Sequence, residues 1–290
     1  MTSAFHQLPD RSGVCLKAQH YQTILDDAPD TGWFEIHPEN YMGAGGPPHR
    51  YLAAIHERYP LSMHGVGLSL GSADGIDDLH LRALRELVQR YRPEAVSEHI
   101  AWSRFDSVYV NDLLPLPYHE ESLRLIADNI DKVQEYLGRR IMIENPSAYM
   151  GFVDHACTEP EFLAELAART GCGMLLDVNN VFVSACNLGF DPYAYITAVP
   201  PGIVGEIHLS GHAVQLIEET ELRIDDHGSP VKQPVWDLYQ FTLRHLGRYV
   251  PTLIEWDNDI PAFSVLLAEA ARADAIAAGE HHPVPQAATA

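Results

Sequence analysis

Six apolar segments of this chain close on a side chain able to hold a metal ion. His64 ends Ser-Met-His, His99 ends Ser-Glu-His, Glu144 ends Ile-Glu, Asp177 ends Leu-Asp, His208 ends Glu-Ile-His and Glu255 ends Ile-Glu. One histidine or carboxylate closing a strand is ordinarily a capped or solvated group. Six at equivalent positions are harder to set aside, because burying that many unpaired ionisable groups costs on the order of several kcal/mol per ion. A cluster of cations removes that cost, and imidazole with carboxylate is a donor set that divalent transition metals accept. Beyond the segment that His208 closes, Ile-Asp-Asp-His supplies Asp225 and His227, whose spacing puts both side chains on one side of an extended chain. Asn180, three residues past Asp177, can add an amide oxygen.

Period-2 alternation sorts the neighbours. Glu98 and His99 fall on opposite faces of one strand, and His99 is taken as the inward one. Glu206, His208, Ser210 and His212 share a face, which puts His212 further out along the mouth. Glu35, His37 and Glu39 share another face, where direct ligation and a hydrogen-bond network beside the metals both remain open. Lys17 is the only lysine at a strand end. A Schiff-base mechanism would need it desolvated deep in the fold, and the metal constellation explains more residues. Substrate contacts are assigned to Lys17, His37, Asn40 and His212. No Gly-x-Ser-x-Gly elbow and no Cys-x-x-Cys pair occurs; Cys15, Cys157, Cys172 and Cys186 read as reduced thiols of a reducing, cytoplasmic compartment.

The elements that must position these groups alternate along the chain. Strands are expected at 14–17, 33–37, 61–64, 95–99, 140–144, 173–178, 203–209 and 252–256. Continuous apolar runs such as Gly-Met-Leu-Leu-Asp-Val fit strands buried on both faces of a parallel sheet. Helical periodicity falls at 48–59, 77–91, 119–137, 159–169, 192–199, 235–246 and 260–278. Thr158 with Glu161 forms a capping box, and Asp191 before Pro192 is an N-cap followed by proline at the first helical position. Eight strands alternating with helices predict an α/β fold, a (β/α)8 TIM-like barrel over residues 1–278, with 279–290 a disordered tail whose His281 and His282 are poor ligands. A doubly wound open sheet is the alternative; no GxGxxG or P-loop signature supports a nucleotide-binding version. In a barrel the C-terminal strand ends converge on one mouth, so the six groups would address one volume.

The chain has 290 residues and a net charge of −21, with Lys17, Lys132 and Lys232 its only lysines. Nucleic-acid binding depends on neutralising phosphates, and no basic stretch offers that. The N-terminal residues lack the basic-then-apolar pattern of a signal peptide, and no apolar run reaches the ~18 residues of a membrane span.

With these residues in view, the chain resembles the multinuclear non-heme iron-dependent oxidative enzymes. The matching segments are Phe-Glu-Ile-His-Pro-Glu-Asn-Tyr-Met-Gly-Ala-Gly-Gly-Pro-Pro (34–48), Leu-Ser-Met-His-Gly-Val-Gly-Leu-Ser-Leu-Gly (61–71), Asn-Asp-Leu-Leu-Pro-Leu-Pro-Tyr (111–118), Leu-Leu-Asp-Val-Asn-Asn-Val-Phe-Val-Ser-Ala (175–185), Gly-Glu-Ile-His-Leu-Ser-Gly-His (205–212) and Leu-Ile-Glu-Trp-Asp-Asn-Asp (253–259). The resemblance implies a barrel related to xylose isomerase and endonuclease IV. It implies two or three irons, mixed Fe(II)/Fe(III), held by His64, His99, Glu144, Asp177, Asn180, His208, Asp225, His227 and Glu255. The related nuclease pattern has histidine where Asn180 stands, which argues against a trizinc nuclease. Cys15 departs from the glycine expected in the first strand. The resemblance further implies oxidation, with O2, of cysteines in a ribosomally made precursor peptide, often beside a partner protein that recognises the peptide leader. The subgroup most alike matures copper-binding bufferin peptides; relatives form the oxazolone and thioamide of methanobactin or excise a cysteine β-carbon.

Residue chemistry by itself stops at a metal cluster. A divalent-metal isomerase or phosphoesterase on the same scaffold would use the same donors with metal-activated water, and so would a non-catalytic metal-binding accessory protein.

Overall fold

Eight short parallel strands close into a barrel in a computed structural model that describes residues 8–106, 108–153 and 155–281. In barrel order they are β1 (Gly13–Cys15), β2 (Phe34–Ile36), β3 (Leu61–Gly65), β4 (Ala95–His99), β7 (Met142–Glu144), β8 (Gly173–Asp177), β9 (Val204–Leu209) and β12 (Thr252–Ile254), with β12 pairing back to β1. The eight expected strands are all present and parallel, and the open-sheet alternative falls with the closure of the ring. Helices cover the outside: α1 (Tyr21–Asp27), α2 (Pro47–His56), α3 (Asp78–Tyr91), α4 (Glu120–Leu137), α5 (Glu159–Thr170), α6 (Val178–Leu188), α7 (Pro192–Ala198), α8 (Gln233–Leu246) and α9 (Phe263–His281). Among the described residues no helix is long and apolar enough to cross a membrane.

The sequence signals act where expected. Glu161 accepts the Thr158 backbone N–H at 2.8 Å, and Asp191 accepts from Tyr193 N–H at 2.9 Å. Two expectations need correction. Asp177 does not lead into more strand: its carboxylate accepts the Asn180 N–H at 2.6 Å and caps α6. The strand expected over 173–178 thus ends one residue early, and α6 is a helix that the periodicity did not mark, begun by the aspartate cap. At the other end α9 carries on to His281, past the boundary expected at 278; residues 282–290 of the expected tail, with His282, lie outside the described residues.

Two antiparallel hairpins rise above the strand ends, and neither is visible as hydrophobic periodicity. One pairs β5 (Trp102–Phe105) with β6 (Val108–Leu114), the other β10 (Ala213–Ile217) with β11 (Thr220–Ile224). Their exposed apolar residues, among them Val110, Val214 and Leu216, mimic neither a two-faced nor a buried strand.

The barrel interior changes character along its axis. Its floor is a dry cluster of Leu8, Trp33, Ala95, Met142, Leu175 and Leu253. Gly13 permits this floor, because a Cβ there would lie 2.4 Å from the Trp33 ring. Two residues further along the same strands, side chains of the same face become Glu35, Ser97, Glu144, Asp177 and Glu255. Cys15 occupies the expected-glycine position on β1 by packing: its Sγ lies 3.3 Å from both the N and O of Trp256, and burial pushes its thiol up to about 12.

Gly211 joins β9 to the second hairpin. A Cβ on it would sit 2.0 Å from the Ser229 carbonyl oxygen and 2.6 Å from its carbon, which are backbone atoms that cannot rotate away. Gly211→Ala is therefore expected to cost about 1–3 kcal/mol, read as a lower urea midpoint of the metal-free protein. An unchanged midpoint would show that the segments before and after the hairpin do not touch.

Candidate metal centre

Strand pairing brings the ligand candidates into register before any side chain is considered. His99 sits opposite Glu144 across β4 and β7, and Asp177 opposite His208 across β8 and β9. The Glu255 N–H donates to Leu209 O at 2.9 Å, which carries β12's register one residue beyond the strand.

On one side of the mouth, His64 Nε2 and His99 Nε2 lie 3.0 and 2.9 Å from the same oxygen, Glu144 Oε2. Their other nitrogens are tied down: His64 Nδ1 to the Ser97 hydroxyl at 2.8 Å and His99 Nδ1 to the Gly65 carbonyl at 3.1 Å. A carbonyl can only accept, so His99 Nδ1 carries the proton and neutral His99 turns a lone pair toward a carboxylate. Two facing acceptors need a proton or a cation between them. In the absence of a metal the proton fills that role: burial opposes charge on His99, but Glu144 and Glu98 outweigh it and raise the imidazole well above its ordinary range.

A second donor set shares Glu144. Donor atoms of Glu144, Asp177, His208 and Glu255 lie within 4.8 Å of one another. Asp177 is fixed by Asn145, whose side-chain amide bonds both the Asp177 carbonyl and its N–H at 2.9 Å. Burial first, then the Glu144 and Asp225 carboxylates, push the Asp177 carboxyl well above its usual range. His208 is flanked on both nitrogens: Nδ1 lies 3.2 Å from Glu255 Oε2, and Nε2 lies 3.2 Å from Glu35 and 3.5 Å from Glu206. Burial, then the Glu35 carboxylate, raises Glu206 to about 8, so Glu35 and Glu206 form a buried acidic pair beneath the mouth.

At the rim His227 Nε2 reaches Asp225 Oδ1 at 2.7 Å, while Nδ1 lies 3.4 Å from both Glu255 and Asp257. Asn180 directs Nδ2 to the Asn145 carbonyl at 3.1 Å, leaving Oδ1 buried and unbonded. Glu144 Oε2, Asp177 Oδ2, His208 Nε2 and His227 Nε2 are likewise buried without a hydrogen bond. Buried polar atoms are rarely left so, and these converge on common points. His64, His99, Glu144, Asp177, His208 and Glu255 fall in groups of ligand atoms close enough to hold cations, and Asp225, His227 and Asn180 stand beside them.

The substrate contacts fare unevenly. Lys17 pairs with Asp257 at the mouth, and His37 bonds the His64 carbonyl at 3.2 Å with Nε2 lying 3.6 Å from Asp257. Asn40 does not reach the cleft: Pro38 starts a 3-10 turn, Pro38–Tyr41, which breaks the alternation and leaves Asn40 exposed. The same turn sends Glu39 away, to the Val66 N–H at 3.1 Å. His212 is buried behind the site. It bonds Asn179 at 2.7 Å, and Asn179 bonds Asp225 at 2.8 Å, so His212 supports a ligand and does not line the cleft. Glu98 turns, as expected, off the His99 face, accepting the Leu68 N–H at 3.0 Å.

Sequence reasoning missed Asp257, Asn145 and Asn179. Asp257 stands two residues past Glu255, so the same-face rule already marked it. Asn145 follows Glu144 directly and gives no periodic signal, and Asn179 lies in a segment to which the periodicity assigned no element, the first turn of α6. The cleft above these groups has a volume of about 490 Å³, and no Lys or Arg is among its lining residues.

Two outcomes follow for metal binding. His99, His208 and His227 are all raised well above the ordinary imidazole value, each against burial, chiefly by Glu144, Glu35 and Asp225 respectively. They hold protons at neutral pH when no cation is bound, so binding must release protons and weaken as pH falls. Calorimetric titration of metal-stripped protein in two buffers of different ionisation enthalpy should give different heats; identical heats would contradict this. Asp177→Asn should lower the bound metal, whereas His245→Ala, whose ring bonds the Val199 carbonyl far from the mouth, should leave it at the wild-type level by elemental analysis.

Comparison with known proteins places the chain in a family and a fold. The model of a family described as RiPP precursor modification enzyme MbnB/TglH/ChrH matches residues 11–278. A UPF0276 protein of Bordetella parapertussis is 51% identical over 266 residues, covering 91% of this chain and 92% of that one. A UPF0276 protein of Rhizobium meliloti is 49% identical over 267 residues, covering 91% and 86%. Among solved structures, a xylose isomerase-like TIM barrel protein from Mycobacterium smegmatis in complex with magnesium aligns with a TM-score of 0.62 at 10% identity, covering 96% of this chain and 99% of that one. Endonuclease IV from Thermus thermophilus aligns at 0.56 and 17% identity, covering 93% and 98%. The two structures establish the fold; the family match, nearly as long as the described chain, establishes that this protein belongs to the MbnB/TglH/ChrH family of RiPP precursor modification enzymes.

Proposed function

We propose that this chain is a multinuclear iron-dependent oxidase that uses O2 to modify cysteine residues of a ribosomally made precursor peptide. The observation that carries the reading is the trio of His64, His99 and Glu144. Two histidines and one carboxylate on one side of an open cleft is the donor set of non-heme Fe(II) oxygenases. In this reading that trio holds one iron, Glu144 with Asp177, His208 and Glu255 a second, and Asp225, His227 and Asn180 a third. Bound iron supplies the redox capacity and Lewis acidity that oxygen activation requires.

The protein's own residues supply positioning. Ser97 and the Gly65 carbonyl orient the two imidazoles, Asn145 orients Asp177, and the His212–Asn179 pair orients Asp225. Lys17 balances Asp257 at the edge of the cleft, and His37 lies between Asp257 and the His64 backbone, which puts a proton-bearing group beside the incoming substrate. A cleft whose lining includes Asp112, Asp226 and Asp257 and no Lys or Arg offers a phosphate no fixed cationic side chain, which disfavours a phosphoesterase or a nucleic-acid substrate. A peptide brings no such charge. A leader-binding partner protein belongs to the proposal as the source of peptide affinity outside the cleft.

Protein produced with ample iron should carry more than one iron per chain by elemental analysis; zinc alone would overturn the oxidative reading. The iron-loaded protein, given O2 and a cysteine-containing precursor peptide with its leader-binding partner, should lower the peptide's mass by hydrogens lost in pairs, or by more where carbon is excised. A hydrolase would add water, and an isomerase would leave the mass unchanged. A peptide unchanged in air with reduced iron present would move the assignment to the metal-hydrolase reading.

A further inference from the structure

The Asn-Asp-Leu-Leu-Pro-Leu-Pro-Tyr segment supplies none of the nine expected ligands, yet it forms one wall of the cleft. Residues 109–113 all line that cleft, together with His99, Glu144, His227 and Glu255. They belong to β6, and the pairing of β6 with β5 is incomplete. Phe105 pairs with Val108, Arg104 with Tyr109 and Trp102 with Leu114, so residues 110–113 have only Ser103 opposite them and no cross-strand partner. The donors that β5 would have offered are engaged elsewhere, since the N–H groups of Ser103 and Arg104 both point to Ser69 Oγ, at 2.8 and 3.2 Å.

This bulge is braced at both ends. Before it the Tyr109 hydroxyl donates to Asp77 at 2.6 Å, and after it the Trp102 indole donates to the Pro115 carbonyl at 2.9 Å. Within it the Leu113 N–H is taken by its neighbour Asp112 at 2.8 Å. The backbone of Val110, Asn111 and Asp112 is therefore extended, exposed and without a ladder partner, and it stands at the lip of a metal pocket. Unpaired strand backbone is a template for an added strand, and bulges of this kind are common beside active sites.

We propose that the peptide substrate docks as an added β-strand against residues 110–112, so that every second side chain, the reacting cysteine among them, turns into the metal cleft. The proposal rests on the peptide-substrate reading above and deepens it. Main-chain pairing supplies affinity without demanding a particular side chain, and the strand period of two sets which residue faces the metals. It also suits the charge of the cleft, because an uncharged peptide backbone meets no repulsion from Asp112, Asp226 or Asp257.

The test measures binding separately from turnover. A fluorescein-labelled, cysteine-containing precursor peptide is titrated into the metal-loaded wild-type protein, with its leader-binding partner present, as a series N-methylated at one residue at a time around the cysteine. Strand addition predicts an alternating pattern: N-methylation at one parity weakens binding about tenfold, the worth of one or two net hydrogen bonds, and at the other parity changes it less than about twofold. In the protein, Asn111→Pro removes a backbone donor and should raise the peptide's KM about tenfold with kcat and metal content nearly unchanged, whereas Leu216→Ala, on the exposed surface of the other hairpin, should leave KM near wild type. A flat N-methylation profile, or equal KM for Asn111→Pro and Leu216→Ala, overturns the docking proposal even when the peptide is oxidised. An alternating profile with a peptide that is bound but never oxidised upholds the docking mode and overturns the oxidase reading.

Discussion

Everything at the mouth of this barrel answers to one electrostatic constraint: imidazole lone pairs and carboxylates face one another, out of water, without enough protons to satisfy them. Glu144 meets two histidine nitrogens on a single oxygen, and His208 meets carboxylates on both of its nitrogens. Charges so placed repel or go unpaired unless a proton or a cation stands between them, and at low dielectric neither alternative is cheap. The raised proton affinities of His99, His208, His227 and Asp177 are the metal-free protein's answer to that constraint. Cations would answer it better, because one divalent ion replaces several protons and satisfies several donors together.

A site of this kind can persist only where its surroundings do not collapse, and the barrel provides that through its axial layering. Trp33, Met142, Leu175 and Leu253 form a buried apolar cluster in the lower interior. The same strands, two residues on, present acids and histidines. Parallel pairing then fixes which of those groups are neighbours, as with His99 beside Glu144 and Asp177 beside His208. Burial of the floor thus stabilises the frame, and the frame holds the unfavourable charges in place. A helix N-cap reinforces it at Asp177, whose Oδ1 caps α6 while Oδ2 stays free.

The likeness to sugar-isomerase-type barrels and to endonuclease IV extends over the frame and not to the chemistry, since barrels of this class place different reactions on the same strand ends. Above the barrel, the β5–β6 hairpin walls the cleft, the segment after β11 delivers Asp225 and His227, and no Lys or Arg lines the space between.

By itself the sequence determined the eight strands, their order and the identity of the groups that close them, because a buried parallel strand writes a continuous apolar run and a polar residue at its end stands out against it. The His64, His99, Glu144, Asp177, His208 and Glu255 set was legible for that reason, and so was the Asp225–His227 pair by its spacing. Tertiary structure alone decided the rest. It turned Asn40 to solvent, because Pro38 begins a turn that ends the alternation. It placed His212 behind Asn179 and made a helix of the unassigned segment after Asp177, because the Asp177 carboxylate caps it. It left residues 110–113 unpaired, because Ser69, distant in sequence, takes the donors that β5 would have used. Each of these outcomes depends on a partner far along the chain, and local periodicity carries no record of such partners.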